Sequence, residues 1–162
     1  MSTTMDRPRA QTDRGNELLS IRLGGQEFAI SIMAIREIRG WVSSTHLPHA
    51  PSYILGMINL RGTVLVVIDL AQRLGLGGQE ANPASVIVVV EANNRVVGLL
   101  VDEVCDIITV TDAMRQDTPS IEHGASQDFI EGLVMIDERI ISVIAINAVV
   151  PNQATIDNFT AG

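Results

Sequence analysis

The side chains that could do chemistry are few and scattered. His46 and His49 stand three residues apart, a spacing a metal site can use, but they flank Pro48 and no cysteine or carboxylate lies near them in sequence. A zinc centre needs further ligands, so a surface loop is the simpler reading and no metal is expected. His123 is isolated. Asp69 closes one apolar run and Asp102-Glu103 follows another. A carboxylate there could serve as general acid or base, although strand-end acids more often cap a turn or meet water. Cys105 is the single cysteine, between Val104 and Asp106, which excludes an intramolecular disulfide and reads as a packed residue rather than a nucleophile. The patterns Gly-x-Ser-x-Gly, His-Glu-x-x-His and Gly-x-Gly-x-x-Gly do not occur. No nucleophile, base and orienting group come together, so neither an enzyme nor a cofactor is expected.

Glu37 and Arg61 are the charges of most interest, in Glu37-Ile-Arg-Gly40 and Asn59-Leu-Arg-Gly62. Two readings stand side by side. Either they are independent surface residues, with Arg61 at a turn tip, or they form an ion pair on the floor of a groove. An exposed pair contributes little, whereas a partly desolvated one orients its surroundings.

The elements that would position these groups are strands. Gly56 through Leu70 reads as a strand, a tight turn at Arg61-Gly62 and a second, almost wholly apolar strand. The pattern returns at Gly132 through Ile146, an offset of 76 residues (132 − 56). A second echo aligns Phe28–Ile38 with Val97–Ile107 at an offset of 69 (107 − 38), so that Ile32, Ile35 and Ile38 meet Val101, Val104 and Ile107. Leu18 to Leu23 and Gln26 to Ser31 form a hairpin across Gly24-Gly25. Ile32 to Ile38 predicts one helical turn running into a strand. Ser52 to Leu55 predicts another helical turn, and Leu70 to Leu74 a brief helix that Gly75 stops. Val86 to Val90 is continuously apolar and should be covered on both faces. Gly75 to Ser85 marks the boundary between halves, and 111–128 is a longer polar insert. The repeated short strands predict a mainly β fold of two small antiparallel barrels packed together, with a few short helices. The expected first subdomain covers about 26–84 and the second about 17–25 and 85–150, allowing strand exchange. Residues 1–16 read as a flexible leader and 151–162 as a tail.

Composition narrows the partners. Hydrophobic residues are 46% of the 162, aromatics only 3%, and the formal net charge is −8 with no lysine at all. Eleven scattered arginines make no cationic footprint for nucleic acid. Lysine's absence excludes P-loop, Schiff-base and Ser-Lys chemistry. No apolar h-region opens the chain, and no run approaches the roughly 18 residues of a membrane span. The chain reads as cytoplasmic, without membrane insertion. A metabolite-binding barrel is an alternative, but a ligand pocket wants aromatics, and the chain has one Trp and one Tyr.

Several blocks together resemble the CheW family of bacterial chemotaxis adaptors: Glu37-Ile-Arg-Gly40, Pro51 through Gly62, Val64 through Leu70, Val96-Val-Gly-Leu-Leu-Val-Asp102, Phe129-Ile-Glu-Gly-Leu133 and the final hairpin. The resemblance covers about residues 18–150. It implies two SH3-like five-stranded barrels and no catalysis. It also implies an adaptor, monomeric when free, that bridges a chemoreceptor's cytoplasmic tip and the regulatory domain of the histidine kinase CheA at membrane receptor arrays. By that resemblance, Leu19, Ile32, Ile35 and Ile38 form the kinase-facing patch. Glu37, Gly56, Arg61, Val86, Ile87 and Gly98 fall on the receptor groove, and Ile121 on a second, ring-forming contact. An array with an output other than motility is the alternative within the same fold.

Overall fold

The computed structural model describes residues 16–77, 84–116 and 127–151. Ile121, the leader as far as residue 15 and the tail from residue 152 lie outside the described residues. The strands are β1 (Glu17–Leu23), β2 (Gln26–Ser31), β3 (Ile35–Gly40), β4 (Ile54–Leu60), β5 (Thr63–Asp69), β6 (Val86–Ala92), β7 (Arg95–Val101), β8 (Glu103–Thr109), β9 (Arg115–Gln116), β10 (Ile130–Ile136) and β11 (Arg139–Ile144). They form two sheets, in the orders β3-β6-β7-β5-β4 and β8-β1-β2-β11-β10-β9. These are the two barrels of the mainly β fold.

The internal repeat is visible in the register. Ile54 pairs with Ile68 and Gly56 with Val67 across a bulge; Ile130 pairs with Ile144 and Gly132 with Val143 across another. Each pair of equivalents is 76 residues apart. Four hairpins turn through two residues of positive φ: Gly24-Gly25, Arg61-Gly62, Asn93-Asn94 and Asp137-Glu138. Such turns match the right-handed twist of the flanking strands. One pairing in each sheet is parallel, β5 with β7 and β11 with β2.

The strands are shared between barrels differently from the expected bounds. β2, at 26–31, lies in the second sheet with β1 and β11, while β6 and β7, at 86–101, lie in the first with β3 and β5. β5, before Gly75, and β6, after Ser85, thus belong to the same sheet, so the expected boundary does not separate the two barrels. The physical reason is that hydrogen-bonded neighbours are set by long-range pairing, which a linear pattern does not specify. A smaller correction concerns Ser52 to Leu55. Ile54 N–H bonds to Pro51 O at 3.0 Å, closing a turn, and β4 begins at once without a helix. The other expected turns are present: a 3-10 turn at Ile32–Ala34 leads into β3, and a one-turn helix Leu70–Arg73 ends before Gly75.

Three apolar clusters hold this together. Ile58, Leu60, Leu65, Val67, Ile87, Val89 and Leu100 fill the first barrel. Leu18, Ala29, Val110, Val134, Ile141 and Val143 fill the second. The largest cluster lies between them and draws Leu19, Ile21, Phe28 and Ile30 from one sheet and Ile68, Val88, Val90 and Leu99 from the other. β6 explains the continuous apolar run: Ile87 and Val89 point into their own barrel, Val88 and Val90 into the shared core. Both faces of that strand are covered, as its sequence predicts.

Candidate functional site

Edge strand β3 and the β4–β5 hairpin converge on one polar contact. Asn59 Oδ1 accepts the Gly62 N–H at 2.9 Å, which tightens the turn and holds Arg61 at φ 51. From there Arg61 reaches across to Glu37 on β3. Its Nη1 donates to Glu37 Oε2 at 3.2 Å and its Nη2 to Oε1, a two-pronged bond between planar groups. Arg39 Nη1 adds a third bond to Glu37 Oε2 at 3.3 Å. The Glu37 side chain is 26% exposed and that of Arg61 67%. The Arg61 bond is the main cause that holds the Glu37 carboxyl below the usual glutamate range; burial opposes it, and Arg39 adds to it. Glu37 in turn raises the Arg61 guanidinium further above its ordinary value. Of the two readings of these residues, the ion pair is the one formed.

The pair rims a groove of about 370 Å³ whose walls include Leu60, Leu65, Val89 and Val96. A bulge between Ile35 and Glu37 brings Arg36 to the same groove, where it also pairs with Glu91. The second barrel carries polar and charged groups at the equivalent positions. At the positions equivalent to Val89, Val96 and Thr63 stand Ser20, Glu27 and Arg139. Arg139 Nη1 bonds to Glu27 at 3.0 Å, and the Ser20 hydroxyl donates to the same carboxylate. The equivalents of Glu37 and Arg61 are Asp106 and Asp137, two like charges that cannot pair.

The other residues assigned to the receptor groove are buried or half-buried. Ile87 is fully buried in the first barrel. A Cβ on Gly98 would stand 2.8 Å from Ile87 Cγ2, so this glycine makes room for that isoleucine. A Cβ on Gly56 would stand 2.2 Å from Thr45 O, where the chain crosses β4 through the paired bonds of Thr45 and Met57. Val86 is half-buried against the shared core. Ile87, Gly56 and Gly98 are thus buried, and Val86 is half-buried. The sequence reading missed the wall residues Val89 and Val96 and the third partner Arg39; Val96 was detectable only as an apolar residue next to a turn.

The apolar patch divides similarly. Leu19 is 3% exposed and belongs to the shared core. Ile32 and Ile35 are half-buried at the rim of that core, and Ile38 is 47% exposed on the edge strand. Its equivalent Ile107 is also exposed, while Val101 is buried and Val104 packs on the shared core. The candidate catalytic groups are dispersed. Asp69 is buried as the cap of Gln72 N–H, Asp102 accepts Gly24 N–H at 2.8 Å, and Glu103 faces Arg22. His46 and His49 are exposed, Cys105 is half-buried, and no group of three His, Cys, Asp or Glu among the described residues could hold a metal.

Comparison with known proteins decides the family. The sequence model of the CheW-like domain matches residues 17–154. The chain belongs to the CheW-like family. A chemotaxis protein CheW of Rhizobium meliloti is 46% identical over 142 residues, 88% of this chain and 92% of the relative. A probable chemotaxis protein CheW of Rhizobium etli is 49% identical over 138 residues, covering 85% and 88%. The crystal structure of the scaffolding protein TtCheW from Thermoanaerobacter tengcongensis superposes with a TM-score of 0.77 at 29% identity, over 83% of this chain and 92% of that one. The two-barrel CheW-like architecture is thus common to both. No helix among the described residues is long and apolar enough to cross a membrane.

Proposed function

We propose that this chain is a non-enzymatic adaptor that couples chemoreceptors to the histidine kinase CheA in a chemotaxis signalling array. The observation that carries the reading is the two-pronged Glu37–Arg61 bond at the mouth of an apolar groove. A charged rim over aliphatic walls suits an amphipathic helix, whose apolar stripe would enter while polar groups meet the rim. The receptor tip is the occupant assigned to it. Glu37 and Arg61 make direct contacts, and Gly56, Ile87 and Gly98 fix the groove's shape, with Val86 packed alongside. The kinase's regulatory domain docks on the exposed Ile38 with Ile32 and Ile35 beside it, an aliphatic surface of the kind that marks interfaces. Leu19 supports that patch from the core, and Ile121 belongs to the second contact. The free chain is a monomer in the cytoplasm, recruited to receptor arrays at the membrane.

Both surfaces share β3. Glu37 faces the groove beside Val89, and Ile38 faces the opposite side beside Val88. One short edge strand thus carries a contact to each partner, which is what an adaptor requires. Titration of the chain with a soluble receptor cytoplasmic fragment and, separately, with the kinase regulatory domain tests the proposal. Saturable binding of each, without competition, is the expected result. Mutual exclusion of the two partners would contradict it.

A further inference from the structure

Arg73 sits between two rings that are counterparts in the internal repeat. Its guanidinium carbon lies 4.2 Å from the centre of Tyr53 and 4.8 Å from that of Phe129, 76 residues later. Tyr53 precedes β4 of the first barrel and Phe129 precedes β10 of the second. Their carbonyls even make the same bond, Tyr53 O with Asp69 N–H and Phe129 O with Ala145 N–H, both at 2.8 Å. Arg73 also donates from Nε to Val149 O at 3.0 Å, and Val149 is the counterpart of Arg73 itself.

The reason lies in one broken equivalence. A helix leaves its last carbonyls without partners. After Leu70–Arg73 the chain turns through Gly75 at φ 83, and the N–H groups of Leu74, Gly75 and Leu76 close on the carbonyls of Leu70, Gln72 and Ala71. The counterpart of Gly75 after the second helical turn, Ile146–Val149, is Pro151. Proline has no N–H and cannot adopt positive φ, so this turn cannot close on itself in the same way. The first barrel supplies the donors instead. Arg73 takes the carbonyls of Ala148 at 3.4 Å and Val149 at 3.0 Å, and Asn93 Nδ2 takes those of Asn147 and Val150 at 3.0 Å. Four successive carbonyls of one barrel are held by two side chains of the other.

We propose that Arg73 and Asn93 form a clamp that fixes the angle between the barrels, and that Arg73 is thereby a positioning residue for the kinase-facing patch. The shared apolar core holds the barrels together but has no preferred direction. A planar guanidinium with fixed donors does. Ile32 and Ile35 rest on that core, which draws its residues from both barrels, whereas Glu37, Arg61 and the groove walls all belong to the first barrel. Loosening the clamp should therefore disturb the patch and spare the groove. The positioning role rests on the adaptor reading; the clamp itself does not.

Spin labels at Val64→Cys and Ile140→Cys, both exposed and one in each barrel, in a Cys105→Ser background, report the angle without any partner. Wild-type Arg73 should give one narrow distance distribution, and Arg73→Leu a shifted or clearly broader one. Arg73→Lys, which keeps the charge without the fork, should not restore the narrow distribution. Asn93→Ala should broaden it too, and serves if Arg73→Leu does not fold. Distributions unchanged in the folded variants would overturn the clamp. For positioning, Arg73→Leu should weaken binding to the kinase regulatory domain about tenfold, or ~1.4 kcal/mol, with receptor-fragment affinity unchanged. Equal losses toward both would overturn it. A wild-type chain that binds neither partner would remove the adaptor reading, while the distances would still decide the clamp.

Discussion

Arg61 at the β4–β5 turn and Glu37 on β3 meet through both Nη atoms of the guanidinium and both carboxylate oxygens, across 24 residues of chain. This bond ties the hairpin tip to the edge strand and frames the groove. Removing one partner leaves the other poorly compensated at the rim. Arg61→Ala should therefore weaken receptor binding more than kinase binding. A double-mutant cycle with Glu37→Ala should show coupling of roughly 0.5–3 kcal/mol on receptor affinity. Strictly additive losses would remove the pair from the recognition surface.

The same pair makes a signed prediction about pH. Because Arg61 lowers the Glu37 pKa in the folded protein, the bond's contribution is fully present above the unfolded glutamate pKa and is lost as pH falls through the lowered folded value. Carbon-detected NMR titration should place the Glu37 midpoint below that of an ordinary exposed glutamate, and Arg61→Ala should raise it. An unmoved midpoint would mean that the contact is not maintained in solution. The effect on overall stability should be slight, since exposed pairs contribute little.

Ile38 and Ile35 separate binding from folding. Ile38 is exposed, so Ile38→Glu should leave the melting temperature nearly unchanged while weakening kinase binding, because a charge would be buried in an apolar contact. Ile35 is half-buried against the shared core, so Ile35→Glu should lower the melting temperature as well. Thermal denaturation alongside kinase-domain titration checks both. Full kinase affinity in folded Ile38→Glu would move the interface elsewhere.

Gly98→Ala should act through packing. The added methyl group meets Ile87 Cγ2 inside a filled barrel, and overpacking of this kind costs about 1–3 kcal/mol. Denaturant unfolding should show that loss. A neutral Gly98→Ala would show that the barrel yields at this point.

Much of this architecture is legible in the sequence. Apolar alternation, glycine and asparagine turns and the two offsets specify the hairpins, because local pairing follows from turn chemistry. The division of strands between barrels is not legible: β2 pairs with β11 across more than a hundred residues, and no local signal encodes that partner. Site residues show the same limit. Glu37 and Arg61 stand out as charges among apolar neighbours and do form an ion pair. Leu19 and Ile87 lie in strands covered on both faces, where alternation vanishes and inward cannot be told from outward. Gly56 and Gly98 mark close approaches whose other side, Thr45 O and Ile87, only the fold reveals.

The most direct test of the adaptor reading is kinase autophosphorylation on receptor-containing membranes, measured with and without the purified chain. The account predicts that adding the chain raises receptor-dependent kinase activity, and that Arg61→Ala and Ile38→Glu each abolish most of the increase although both variants fold. Activity that is indifferent to the chain, with kinase and receptor both competent, would contradict it.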